Sequence, residues 1–222
     1  MKNSHQFAEH EIDAVYRAIR ERRDMRHFLP DPIDPAQLAR FIEAAHCGPS
    51  VGYMQPWRFV RISDHSLRRA LYVHVQAERI HTANSLGERA EEFMRLKVEG
   101  ILACGELLVV GLVDGRERYV FGRRTMPEMD LASASCAIQN FWLAARAEGI
   151  GVGWVSMFDP ECVRALCHMP EGSQPIALLC VGHVPHFYPE PILQTEKWDS
   201  RRPIRELVYE NAWGTPARGA GG

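Results

Sequence analysis

The chain has 222 residues, enough for one domain with its own core, and 46% are hydrophobic against 24% charged, an ordinary globular balance. Twenty-six basic and 28 acidic residues leave a net charge of -2, which excludes the generic basic nucleic-acid binder. No uncharged apolar run reaches membrane-spanning length.

The opening Met1-Lys2-Asn3-Ser4-His5-Gln6 leads into charged residues and has no apolar signal region, so a cytoplasmic protein is expected. Ile12, Val15, Tyr16 and Ile19 recur at helical spacing and predict an amphipathic helix up to about Arg22. Asp34-Pro35 is a helix start, with an N-cap before a proline at the first helical position. Leu38, Phe41, Ile42 and Ala45 supply that helix with its apolar side, and it should end near Gly48-Pro49. Trp57 to Ile62 reads as a strand. Ser63 to about Gly105 has helical composition, with a break at Asn84-Ser85-Leu86-Gly87.

Leu107 to Val113 is a short apolar run between turn signals, hence a buried strand. Arg116 to Pro127 reads as a loop whose charge and aromatics suit a lid. Leu131 to Ala147 is apolar nearly all round and must be covered on several sides. A turn and strand follow at Gly149 to Ser156, then a short helix near Pro160 to Cys167 and a buried strand at Ile176 to Val181. The tail from Pro189 carries a predicted helix near Ile204 to Asn211 and a frayed end at Gly219 to Gly222. Helices and strands lack the rhythm of βαβ units, so the class is α+β, in one domain spanning 1–222 with its core at about 12–214.

Three arginines in five residues, Arg22, Arg23 and Arg26, suit a phosphate monoester, because guanidinium forks match its oxygens; a solvated helix end is the bland alternative. Gly149, Gly151 and Gly153 fail the dinucleotide pattern, since Trp154 stands where a third glycine is needed and the run follows a helix. A tight turn and a close backbone approach to something flat explain them instead. Six cysteines fall mostly in apolar runs without a CxxC pair, so buried, reduced thiols are expected. Ten histidines show no HExxH spacing, and no metal is expected; His27 and His46 read as structural. Ser156 lacks a GxSxG elbow.

Arg22 to Phe28 (RRDMRHF), Pro49 to Trp57 (PSVGYMQPW), Ala147 to Ser156 (AEGIGVGWVS) and Ser200-Arg201-Arg202-Pro203 together resemble the nitroreductase-like flavoprotein family, over about residues 12 to 214. The resemblance implies a mixed β-sheet flanked by helices, in an intertwined homodimer with FMN at the subunit interface and the C-terminal extension reaching the partner. MDLASASCAIQNFWLAARAEGIGVGWVS and the ending ELVYENAWG are similar to one branch, the 5,6-dimethylbenzimidazole synthases, which fragment reduced FMN with dioxygen. In that branch reduced FMN is a substrate, fed by a separate flavin reductase, and the products are 5,6-dimethylbenzimidazole and D-erythrose 4-phosphate.

Asp24 replaces the serine usual after the paired arginines, and the Ser50 loop lacks the asparagine common in nitroreductases. A carboxylate beside a flavin costs desolvation unless paired, but it serves ring cleavage as a proton acceptor. A salt bridge to Arg22, Arg23 or Arg26 is the alternative role. Carried over, Arg22, Arg23, Arg26 and Arg201 would hold phosphate and ribityl groups, Asp24 and Met25 would also contact the cofactor, and Ser50 and Gly52 would line the flavin. Ser156 would hydrogen-bond the dioxygen-derived group, with Asp24 as principal base. Arg89 and Val98 would contact the cofactor from the cover formed by 63–105. An NAD(P)H-dependent nitroreductase or quinone reductase is the alternative activity, and a non-catalytic flavin-binding protein the alternative of another class.

Overall fold

Ile12, Val15, Tyr16 and Ile19 line one side of helix α1 (Glu9–Glu21) in the computed structural model of the protein, which describes residues 5–217. Met1 to Ser4 and the Gly219 to Gly222 end expected to fray lie outside the described residues. That apolar side is open in the single chain: Val15, Tyr16 and Ile19 are 49%, 56% and 48% exposed. Asp34 caps α2 (Pro35–His46) as expected, its Oδ1 accepting from the Ala36 N–H at 2.9 Å. Leu38, Phe41 and Ala45 turn inward from α2.

Strand β1 (Trp57–Arg61), helix α3 (His65–Ser85) and helix α4 (Ala90–Arg95) come next, with the break near Gly87 where glycine adopts φ +57°. Then follow β2 (Glu106–Leu112), α5 (Met129–Ala147), β3 (Gly151–Val155), α6 (Pro160–Leu166) and β4 (Gln174–Gly182). The sheet order is β1-β2-β4-β3 and all three ladders are antiparallel. Among the described residues, a parallel pairing enters only as the bridge between Asp24 and Val152 at the β3 edge.

Period-2 alternation in β2 splits the core in two. Leu108, Val110 and Leu112 face a layer of α2 and α5, where Phe41 meets Phe141 edge to face at 5.6 Å between ring centroids. Leu107 and Val109 face Leu71 and Val75 of α3 and Val163 of α6. Helix α5 is covered by α1, α2 and the sheet, yet Leu131 and Cys136 remain exposed, so its cover is incomplete in one chain. The cysteine expectation is corrected in part. All six are free, but only Cys104 and Cys180 are buried; Cys47 and Cys136 are exposed, the first just past the end of α2 and the second on the outer side of α5.

The structure separates into two units, one ending at Pro189 and one beginning at Glu190. The second holds α7 (Ile192–Thr195), which the sequence pattern did not signal. The expected helix over Ile204 to Asn211 is not formed. A single 3-10 turn at Ile204–Glu206 stands there, and left-handed backbone at Asn211 (φ +64°) and Gly214 (φ +88°) reverses the chain so that Tyr209 pairs with Pro216. No described helix is long and apolar enough to cross a membrane.

Candidate active site

The segment after α1 lies extended along the open edge of β3. The Met25 N–H donates to the Val152 carbonyl at 3.0 Å, and the Leu29 N–H to the His183 carbonyl at 2.8 Å. Glycines make the fit. A Cβ at Gly153 would fall well inside 3.0 Å of the Met25 carbonyl oxygen, and one at Gly151 would stand 3.2 Å from Met25 Cγ. The Phe28 ring fills a slot between Gly100 and Gly182, where added Cβ atoms would come within 2.5 Å and 3.1 Å of it. The surface that the glycines admit is therefore the chain's own backbone.

Asp24 sits at the head of this seam. Its Oδ1 accepts from the Trp154 N–H at 2.9 Å, and its Oδ2 pairs with Arg26 Nη2 at 2.6 Å. Arg26 Nη2 also donates to the Trp154 carbonyl at 2.9 Å, closing a small ring of bonds between the segment and β3. The Asp24 side chain keeps 39% of its surface open while that of Arg26 keeps 11%. Desolvation raises the carboxyl above the usual aspartate range; Arg26, the Trp154 N–H and Arg22 oppose the rise without cancelling it. The salt bridge weighed from sequence alone is thus present, with Arg26 as partner, and it coexists with an accessible carboxylate.

The three arginines make different contacts. Arg22 lies with its guanidinium carbon 4.5 Å from the Trp142 ring centroid. Arg23 donates to the carbonyls of Arg20, Arg22 and Pro189, holding the end of α1. Arg23 Nε and Arg26 Nη1 are buried donors with no acceptor, a capacity that suits an anionic ligand. Met25, nominated from the sequence, is corrected: the whole residue is buried, its N–H bonded to Val152 and its carbonyl packed against Gly153, so it offers no surface to a ligand.

Ser50 opens a turn that spends backbone strain. Gly52, Tyr53 and Gln55 all adopt positive φ, near +50°, which costs a non-glycine residue roughly 1–2 kcal/mol. Ser50 Oγ accepts from the Gln55 N–H at 3.1 Å, and Ser133 Oγ of α5 accepts from the Val51 N–H at 3.0 Å. Ser156 follows β3 two residues beyond Trp154 and is exposed. Arg89 lies on the cover and pairs with Glu92 at 3.0 Å, one turn along. Val98 is half-buried in the stretch between α4 and β2. Arg201 is exposed in the C-terminal unit.

Several contributors escaped the sequence reading. Tyr188 accepts from the Arg26 N–H at 3.2 Å and meets His27 Nδ1 at 2.7 Å, from 162 positions away, and no local pattern signals it. His46 packs edge-on to Trp57, so both histidines have structural contacts. A cavity of about 430 Å³ lies along α1, lined by His10, Asp13, Arg17, Glu21 and Arg146 among others. None of the residues nominated from sequence lines it.

Residues 19–183 match the Nitroreductase family. The chain belongs to that family. A family member from Rhodospirillum rubrum described as 5,6-dimethylbenzimidazole synthase is 41% identical over 195 residues, covering 86% of this chain and 90% of that protein. Among solved structures, a BluB-like flavoprotein from Clostridium difficile 630 aligns with a TM-score of 0.69 at 18% identity, over 89% of this chain and 99% of the other. Iodotyrosine deiodinase, in a crystal structure bound to FMN, aligns with a TM-score of 0.66 at 20% identity, over 79% and 92%. These likenesses bear out the α+β nitroreductase fold and the resemblance to the synthase branch.

Proposed function

We propose that this nitroreductase-family chain is a 5,6-dimethylbenzimidazole synthase, which consumes reduced FMN and dioxygen and releases 5,6-dimethylbenzimidazole and D-erythrose 4-phosphate. The observation that carries the reading is Asp24: a carboxylate fixed by Arg26 and the Trp154 N–H, with an open side and a raised proton affinity. A group that only bound flavin would gain nothing from this arrangement. A proton acceptor does, because its basicity moves toward the working pH.

The unpaired donors of Arg23 and Arg26 fit an anionic group, and with Arg22 and Arg201 they would hold the phosphate and ribityl chain. Ser50 and Gly52 would line the flavin. When bound, reduced FMN supplies the electrons that dioxygen accepts. Asp24 accepts protons on the carboxylate lone pairs that Arg26 and Trp154 leave open. The Ser156 hydroxyl donates a hydrogen bond from the end of β3. Arg89 and Val98 belong to the cover that excludes water.

The active form is read as a homodimer, in keeping with the open apolar side of α1 and with the family's common habit. The C-terminal unit is read as the extension that reaches the partner subunit, so that 1–222 works as one domain. A separate flavin reductase supplies reduced FMN, and the setting is cytoplasmic. Anaerobic loading with chemically reduced FMN, followed by oxygen and chromatography, should yield 5,6-dimethylbenzimidazole only with protein present. Return of oxidised FMN alone, with NAD(P)H-driven turnover of nitroaromatics, would instead identify an ordinary reductase.

A further inference from the structure

The first turn of α5 holds two separate pieces of chain at once. Asp130 is buried, and its Oδ2 accepts from Arg116 Nε at 2.8 Å and from Arg123 Nε at 3.1 Å. Its Oδ1 accepts from the Leu131 N–H at 2.6 Å. Arg116 also donates to the carbonyls of Val113 and Gly172. Three residues along, Ser133 Oγ takes the Val51 N–H and donates to the Met129 carbonyl at 2.6 Å.

The two held pieces meet. A Cβ at Gly52 would stand 3.0 Å from the Phe121 carbonyl oxygen, and one at Gly122 would stand 2.6 Å from Val51 Cγ2. Segment 116–127 therefore lies backbone against backbone on the strained turn at Ser50. Apolar burial does not hold it there, since Phe121 is 84% exposed and Val120 and Met126 are exposed too. The paired guanidiniums do. Two arginines on one buried carboxylate add little net stability. They specify one geometry, however, which a turn with three left-handed residues requires from its surroundings.

We propose that Asp130 is a positioning residue: by gripping Arg116 and Arg123 it fixes segment 116–127 against Val51 and Gly52, and so sets the geometry of the flavin-lining turn. This rests on the reading of Ser50 and Gly52 as flavin-lining residues. Asp130 touches no reacting atom and acts through the backbone of that turn.

The test uses the full chain with Asp130→Asn and, separately, Arg123→Gln. The second variant leaves the Arg116–Asp130 pair and the charge at the start of α5 in place, so it keeps the fold if Asp130→Asn does not. Three quantities are measured: trypsin cleavage after Arg118 and Arg124, affinity for oxidised and dithionite-reduced FMN, and benzimidazole formed per reduced FMN consumed. Both variants should be cut faster in the segment and bind FMN more weakly. Product yield should fall by up to ~100-fold, the scale of a misplacement near 1 Å. Wild-type cleavage and affinity in Arg123→Gln would overturn the proposal. Faster cleavage with unchanged affinity would overturn it too, because the segment would then be held for stability alone. Wild-type protein that binds FMN but forms no benzimidazole sinks the synthase reading, while cleavage and affinity still decide the role of Asp130.

Discussion

Gly153 faces the carbonyl oxygen of Met25 at a distance that leaves no room for a side chain. The next residue, Trp154, gives its N–H to Asp24. The missing Cβ and the placement of the carboxylate are thus one feature: the segment must lie flat on β3 for Asp24 to reach Trp154. Gly153→Ala should cost ~1–3 kcal/mol in urea unfolding, the range for overpacking a tight interior. It should also cut product yield beyond what the lost folded fraction explains. An alanine variant as stable as wild type would show that the seam yields.

Replacing Asp24 by Asn keeps the shape and the acceptor for Trp154 but removes the proton acceptor. Flavin affinity should stay within a few fold, while product formation falls ~100- to 10,000-fold, the range for loss of a general base. Benzimidazole yield after anaerobic loading and an oxygen pulse checks this. Undiminished yield would leave Asp24 as the structural partner of Arg26 alone.

The same carboxyl sets a pH dependence of stability. Its folded pKa is raised, so protonation favours the native state; the contribution is complete below the ordinary aspartate value near 3.8 and is lost as pH rises through the raised value. Asp24→Asn has no such loss. The Tm of the variant minus that of wild type should therefore increase as pH climbs from about 4 toward neutrality. A difference that is flat, or that falls, would mean that Arg26 and Trp154 outweigh desolvation.

How much of this was legible in the sequence depends on how far apart the partners lie. The Asp34-Pro35 helix start, the apolar run of β2 and the break near Gly87 depend on neighbours in sequence, and they appear where the pattern placed them. The site is legible only in outline. Three arginines in five residues suggested one phosphate cluster, yet a helix end and an extended segment aim them differently: Arg22 at Trp142, Arg23 at carbonyls, Arg26 at Asp24. Tyr188 and Ser133 contribute through partners 162 and 82 residues away, and Asp130 through arginines 14 and 7 residues back in an irregular segment, none of which periodicity can reveal. The tail failed for a local reason, since left-handed backbone at Asn211 and Gly214 overrides a weak helical pattern.

Helix α1 supplies the last test. Its helical spacing marks an apolar side, yet none of its residues is buried in the single chain, and Val15, Tyr16 and Ile19 lie open. A 13-residue helix with that face in water has little reason to stay folded, since tertiary burial supplies most helical stability. A second copy of the chain would supply the cover. Ile19→Glu would then bury an unpaired carboxylate on each side of a twofold interface, costing at least ~1–3 kcal/mol per site. Light scattering with size-exclusion chromatography should show wild type as a dimer and the variant shifted toward monomer. FMN affinity should fall with it, because the flavin site is read as lying at the interface. A variant that stays dimeric with full affinity would place the interface on another face and leave the open side of α1 unexplained.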